Sequence, residues 1–142
     1  MLGTRRVAVP DVPYDPGMAP EGLRYTTEHE WVRREEDGSF TIGITDYAAN
    51  ALGDVVYVQL PDRGASVGRG QVLGEVESTK SVSEFYAPLA GRVVDRNDAV
   101  GNQPDTINTD PFGEGWLVRV EADNPADYDE LVDAAAYASL TS

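Results

Sequence analysis

Six short apolar runs limit what this chain can fold into: FTIGIT (40–45), VVYVQL (55–60), QVLGEVES (71–78), SVSEFYA (81–87), GRVVD (91–95) and WLVRV (116–120). Each is rich in β-branched residues and bounded by Gly, Pro, Asp or Asn, as the strands of a β sandwich or barrel would be. A chain of 142 residues suits one such domain with one core. A weak echo links GQVLGEVES to AGRVVDRND, each a small-residue turn leading into an apolar strand, and would fit two similar half-sheets facing one another.

Two stretches have helical character. Residues 45–53, TDYAANALG, offer Thr45 or Asp46 as an N-cap and Gly53 as a stop. Residues 124–140 place Tyr128, Leu131, Val132, Ala135 and Leu140 near one face, with acids in the first turns where the helix dipole favours them. Residues 1–22 carry Pro10, Pro13, Pro16 and Pro20 and no period of 2 or 3.6, the pattern of a flexible N-terminal extension. Met18 is a possible natural start. The domain proper is therefore expected over 23–142. No apolar signal core follows Arg5 and Arg6, and no run approaches the roughly 20 residues of a membrane span, so the cytoplasm is the expected location.

Charge and composition exclude whole classes of function. With 25 Asp and Glu against 11 Lys and Arg, the net charge of -14 repels nucleic-acid phosphate and anionic membrane. There is no cysteine, so any sulfur chemistry must be brought in. His29 is the sole histidine; a metal site there would need ligands from distant carboxylates, and no nucleophile elbow accompanies it for a triad, so a surface or packing role is expected. The glycines of VGRGQVLG (67–74) miss the dinucleotide spacing and lead into a strand, so they are turn glycines. Asp105, Asp110 and Glu114 around NTDPFGEGW (108–116) do not match a calcium loop and read as a solvated segment.

One residue stands apart. Lys80 is the only lysine beside ten arginines, and it sits in STKS between two strand-like runs, which must reverse there and project it from a hairpin tip. The turn lacks Asn-Gly or Asp-Gly, so a type I or bulged connection is expected. An amine can form an amide where a guanidinium cannot, so the chain has one site for acylation. A biased arginine usage explains the scarcity of lysine but not its location. A Schiff-base role needs a desolvating pocket, which Ser78, Thr79 and Ser81 do not offer. Glu75 and Glu77 share one face of the incoming strand and Glu84 follows on the outgoing one; they are either solvated strand residues or a recognition face for a modifying enzyme.

VESTK within GEVESTKSVSEFYAPLAGRVV resembles a lipoyl-attachment hairpin, and YTTEHEWVR (25–33), TIGITDYAANALGDVVYVQLP (41–61), INTDPFGEGWLVRV (107–120) and LVDAAAYASL (131–140) resemble, in order, the blocks of the H-protein family of the glycine cleavage system. The resemblance spans about residues 23–140. It implies a mainly β, barrel-sandwich-hybrid fold with a short internal helix and a C-terminal helix, bearing lipoate amide-linked to Lys80. It implies a non-catalytic, monomeric carrier. Such a carrier collects an aminomethyl group from the pyridoxal-phosphate-dependent glycine decarboxylase, delivers it to the tetrahydrofolate-dependent aminomethyltransferase and is reoxidised by dihydrolipoyl dehydrogenase. Lipoate-attaching enzymes load it. By the same resemblance Glu30, with Glu28 and Glu84 as neighbours, holds the amine in a cleft, while Trp31 belongs to the core. Some relatives carry histidine at the position of Ala51, and SVSEF (81–85) departs from the commoner Ala-rich hairpin. A lipoyl or biotinyl domain of a 2-oxoacid dehydrogenase or carboxylase would lack the EHEW block and the C-terminal helix, and biotin sites usually carry Met beside the lysine, where this chain has Thr79 and Ser81.

Overall fold

A computed structural model of the chain describes Pro20 and residues 22–141. In chain order the elements are β1 (Arg24–Tyr25), β2 (Glu30–Arg34), β3 (Phe40–Ile44), α1 (Asp46–Leu52), β4 (Val55–Gln59), β5 (Ser66–Val67), β6 (Val72–Ser78), β7 (Val82–Tyr86), β8 (Gly91–Arg96), α2 (Asp98–Asn102), α3 (Thr106–Thr109), β9 (Val118–Ala122), a 3₁₀ segment (Pro125–Glu130) and α4 (Ala134–Thr141). All six apolar runs form strands. They divide between a six-stranded sheet, ordered β1-β2-β3-β9-β8-β5, and a three-stranded sheet, ordered β4-β6-β7. Every pairing is antiparallel. The two sheets form an open sandwich rather than a closed barrel, and the echoing segments supply β6 and β8, one to each sheet.

One core lies between the sheets. Ile42, Val93 and Val120 of the large sheet and Leu73, Val76 and Phe85 of the small one belong to a single buried cluster, as removal of apolar surface from water requires. A second, aromatic cluster of Tyr25, Trp31 and Tyr137 lies beside it. Trp31 is fully buried, as expected. Its indole lies flat over its cross-strand partner Gly43, where a Cβ would stand 2.6 Å from the ring, and its Nε1–H donates to the Pro111 carbonyl at 2.9 Å. A glycine in the middle of β3 is therefore the space the indole occupies.

Two expectations need correction. The stretch 124–140 is not one helix. Tyr25 and Val132 exchange both backbone hydrogen bonds, at 2.7 and 2.9 Å, and this bridge holds Leu131 extended between the 3₁₀ segment and α4. Asp133 restarts the helix by accepting from the Ala136 N–H. Ala135 and Leu140 are exposed, and Tyr137 is the residue of α4 that enters the core. The segment around 108–116 is solvated only in part: Asp105, Asp110 and Glu114 are exposed, but α3 runs into it and Ile107 anchors that helix in the main core. Most of residues 1–22 lie outside the described residues. Pro20 and Gly22 do accept hydrogen bonds, from the Tyr25 and Tyr128 hydroxyls respectively.

Candidate functional site

Lys80 stands at the tip of the β6–β7 hairpin, exposed and without an ion pair among the described residues. Neither Thr79 nor Lys80 has positive φ, which excludes the primed hairpin turns and agrees with the expected type I family. The buried Ser78 closes the turn. Its Oγ accepts from the Lys80 and Ser81 N–H groups at 3.3 and 3.1 Å, and the Thr79 N–H reaches across to the Asp54 carbonyl at 3.0 Å. The lysine stem passes the end of α1, where a Cβ on Gly53 would lie 3.4 Å from Lys80 Cε. Gly53 has φ of 82°, a conformation that favours glycine, and ends the helix there. Thr45, rather than Asp46, is the N-cap of α1 and accepts from the Ala48 N–H. Asn108 clamps the exit from α1, donating to the Gly53 carbonyl and accepting from the Val55 N–H.

Beside the tip, between the 26–30 turn, α1 and the edge strand β7, lies an open cleft of about 390 Å³. Glu28, Glu30 and Glu84 all line it, as do Ala51 and Ser81. The structure thus brings together the residues that the resemblance named. They are not equivalent. Glu28 and Glu84 are exposed, whereas Glu30 is 2 % exposed, and burial pushes its carboxyl above the ordinary carboxylate range. Two donors partly offset that: Thr26 Oγ1 to Glu30 Oε1 at 2.5 Å and the Tyr86 N–H to Oε2 at 3.0 Å. The polarity of the first is fixed by counting. Thr26 Oγ1 already accepts from the Glu28 and Glu30 N–H groups at 3.2 and 3.1 Å, which fills both lone pairs and leaves its proton for Glu30. Glu30 is an oriented acceptor, and no cation pairs with it among the described residues. A buried carboxylate of this kind gains from an incoming ammonium group.

His29 is a packing residue that also walls the cleft. It adopts φ of 72°, places its ring 4.7 Å from that of Tyr47, and its Nδ1 meets the Tyr137 hydroxyl at 2.8 Å. Tyr137 in turn meets Thr45 Oγ1 at 2.8 Å, tying α4 to the cap of α1. The sequence reading missed Thr26, Ser78, Asn108 and Tyr137. Only Ser78, flanking the turn, and Thr26, four residues before Glu30, had any local signal.

The matching family model is described as glycine cleavage H-protein and covers residues 23–142. A glycine cleavage system H protein from Beutenbergia cavernae is 56 % identical over 124 residues, covering 87 % of this chain and 96 % of its own length. One from Anaeromyxobacter sp. (strain K) is 53 % identical over 118 residues, covering 83 % and 91 %. The crystal structure of a glycine cleavage system H protein from Mycobacterium marinum superimposes with a TM-score of 0.79 at 44 % identity, covering 85 % of this chain and 97 % of that one. The exposed lysine on its hairpin, the cleft beside it and these likenesses converge: the chain belongs to the glycine cleavage H-protein family.

Proposed function

We propose that this chain, a carrier component of the glycine cleavage system rather than an enzyme, bears lipoate in amide linkage on Lys80. On that arm it takes the aminomethyl group from glycine decarboxylase to the aminomethyltransferase, and dihydrolipoyl dehydrogenase then reoxidises it. The observation that carries this reading is the position of the sole lysine: exposed on a turn fixed by Ser78 and beside a cleft that holds the uncompensated Glu30. Lipoate would supply the redox sulfur that a chain without cysteine lacks.

The residues present fit that group. The turn closed by Ser78 sets the origin of the exposed lysine stem. Glu30, oriented by Thr26 and the Tyr86 N–H, would hold a protonated amine at the cleft, with Glu28 and Glu84 adding negative charge at the rim. Ala51 leaves that wall without the histidine of some relatives. A tether of this kind presents its load to successive partners at a millimolar effective concentration, which suits a carrier.

Intact-mass analysis after incubation with a lipoate ligase and lipoate should show one lipoyl adduct, absent in Lys80→Arg. Modification persisting in that variant defeats the site. Glycine–CO2 exchange reconstituted with the partner enzymes should then require the lipoylated chain, and no stimulation by it defeats the carrier role.

A further inference from the structure

The outer face of the three-stranded sheet exposes apolar residues that folding does not account for, and its edge residues Val82 and Glu84 continue into the lining of the cleft. In the pairing of β4 with β6 the register shifts between Val55 and Tyr57, so Val56 is a bulge residue and two consecutive large apolar side chains point to water. Val55 and Val58 on either side are buried. Val56 is 51 % and Tyr57 55 % exposed, and Tyr57 faces Glu77, which faces Val82, itself 58 % exposed. This row lies directly behind the turn that carries Lys80. The next row is Gln59, Glu75 and Glu84.

The charge on this face is one-sided. From Asp46 to Gln59 and from Val72 to Tyr86 the only cation is Lys80, against Asp46, Asp54, Glu75, Glu77 and Glu84. None of those acids joins any of the seven ion pairs among the described residues. Glu75 and Glu84 are direct cross-strand partners, an arrangement that repels. Exposed apolar residues rimmed by uncompensated charge mark an interaction surface, and an acidic rim fits a basic one. A second copy would set the same acids against each other, and nucleic acid would be repelled.

We propose that the face from Val56 and Tyr57 across to Val82, rimmed by Glu75 and Glu77, docks the enzyme that acylates Lys80, whose active-site entrance would have a basic rim and an apolar patch. The proposal rests on Lys80 being the acylated residue. The test is steady-state lipoylation of the unmodified full chain by a lipoate ligase, varying the chain concentration at about 0.05 and 0.5 M salt. Tyr57→Ser and Val56→Ser should each raise KM for the chain about tenfold with kcat within twofold, while Val94→Ser on the opposite sheet leaves both unchanged. Wild-type KM should rise with salt, and Glu75→Gln should blunt that rise. Thermal melts establish that each variant is folded. Unaltered KM in both apolar variants, or salt-independent KM, overturns the docking surface while leaving acylation in place. A wild-type chain that takes no lipoate overturns the carrier reading and this one with it. Sedimentation showing a dimer that Tyr57→Ser dissolves would assign the face to self-association and overturn the proposal.

Discussion

The two sheets are built from the same kind of strand and share one core, yet their outer faces are opposites. On and around the large sheet, charge is neutralised locally: Arg92 pairs with its cross-strand partner Glu121, Arg63 with Asp95, Arg96 with Asp98 and Arg33 with Glu35. Arginine stems also cover its aromatic residues, Arg119 over Trp116 and Arg34 over Phe40 and Tyr128. The small sheet has no such cover. Among the described residues its acids join no ion pair, its bulge exposes Val56 and Tyr57, and its tip carries the one lysine. One face is finished as a surface; the other is left to be completed by something else.

The contrast is broken first by stability. Trp31→Ala removes the largest buried side chain of the aromatic cluster and should cost about 3–5 kcal/mol in urea unfolding. Tyr57→Ala, an equally drastic truncation on the small sheet, should stay within about 0.5 kcal/mol. Comparable losses would mean that Tyr57 supports the fold and is not held in reserve for a partner. Gly43→Ala comes next. Its Cβ would stand 2.6 Å from the Trp31 ring atoms, and overpacking of that kind costs about 1–3 kcal/mol, read as a lowered urea midpoint.

Where the sheets approach each other at the cleft, the expected effect is smaller and more specific. Thr26→Val leaves the Glu28 and Glu30 N–H groups without their acceptor and Glu30 without its hydroxyl donor. A loss of about 1–3 kcal/mol follows from the unmet bonds. Because the hydroxyl lowers the Glu30 pKa against the upward push of burial, carbon-detected NMR of the carboxyl should find it titrating at still higher pH in the variant. Thr26→Ser should restore the wild-type titration. A Glu30 that titrates identically in Thr26→Val would mean that the hydroxyl does not orient the carboxylate.

The strands were readable because their period and boundary residues are local properties, and Lys80 because it is unique in its chemistry. The helix cap at Thr45 and the stop at Gly53 were readable for the same reason. The break at Leu131 and Val132 was not, since it arises from Tyr25, more than a hundred residues away, taking the backbone groups that a helix would use. The cleft followed the same division. Glu28, Glu30 and Glu84 came from a resemblance rather than from any spacing, because a segment of each sheet and the helix α1 converge there. The difference between a buried Glu30 and exposed neighbours is a property of the assembled walls. The bulge at Val56 was invisible as well: VVYVQL reads as an unbroken run, and only its partner β6 shows which residue is extra.

The smallest effect should come from His29, at the seam between the 26–30 turn, α1 and α4. Partial withdrawal from water lowers its pKa below the ordinary histidine value, with Glu28 pulling the other way. The unfolded chain therefore binds a proton as pH falls through about 6.5 while the folded one still does not. Stability must fall with pH from there until the folded pKa is passed. The ring Nδ1 shares a hydrogen bond with the Tyr137 hydroxyl, which also meets Thr45 Oγ1, the acceptor of the Ala48 N–H. Burial raises the carboxyls of Glu30 and Asp46, so they stabilise the fold as pH falls and oppose this trend in the wild type. Comparison with His29→Asn, a residue that tolerates positive φ, cancels their contribution. Urea midpoints measured from pH 7.5 to 5 should converge between the two proteins as pH falls, because only the wild type loses the histidine-linked increment. Midpoints that run parallel across that window would show that the seam between the sheets does not sense the histidine proton.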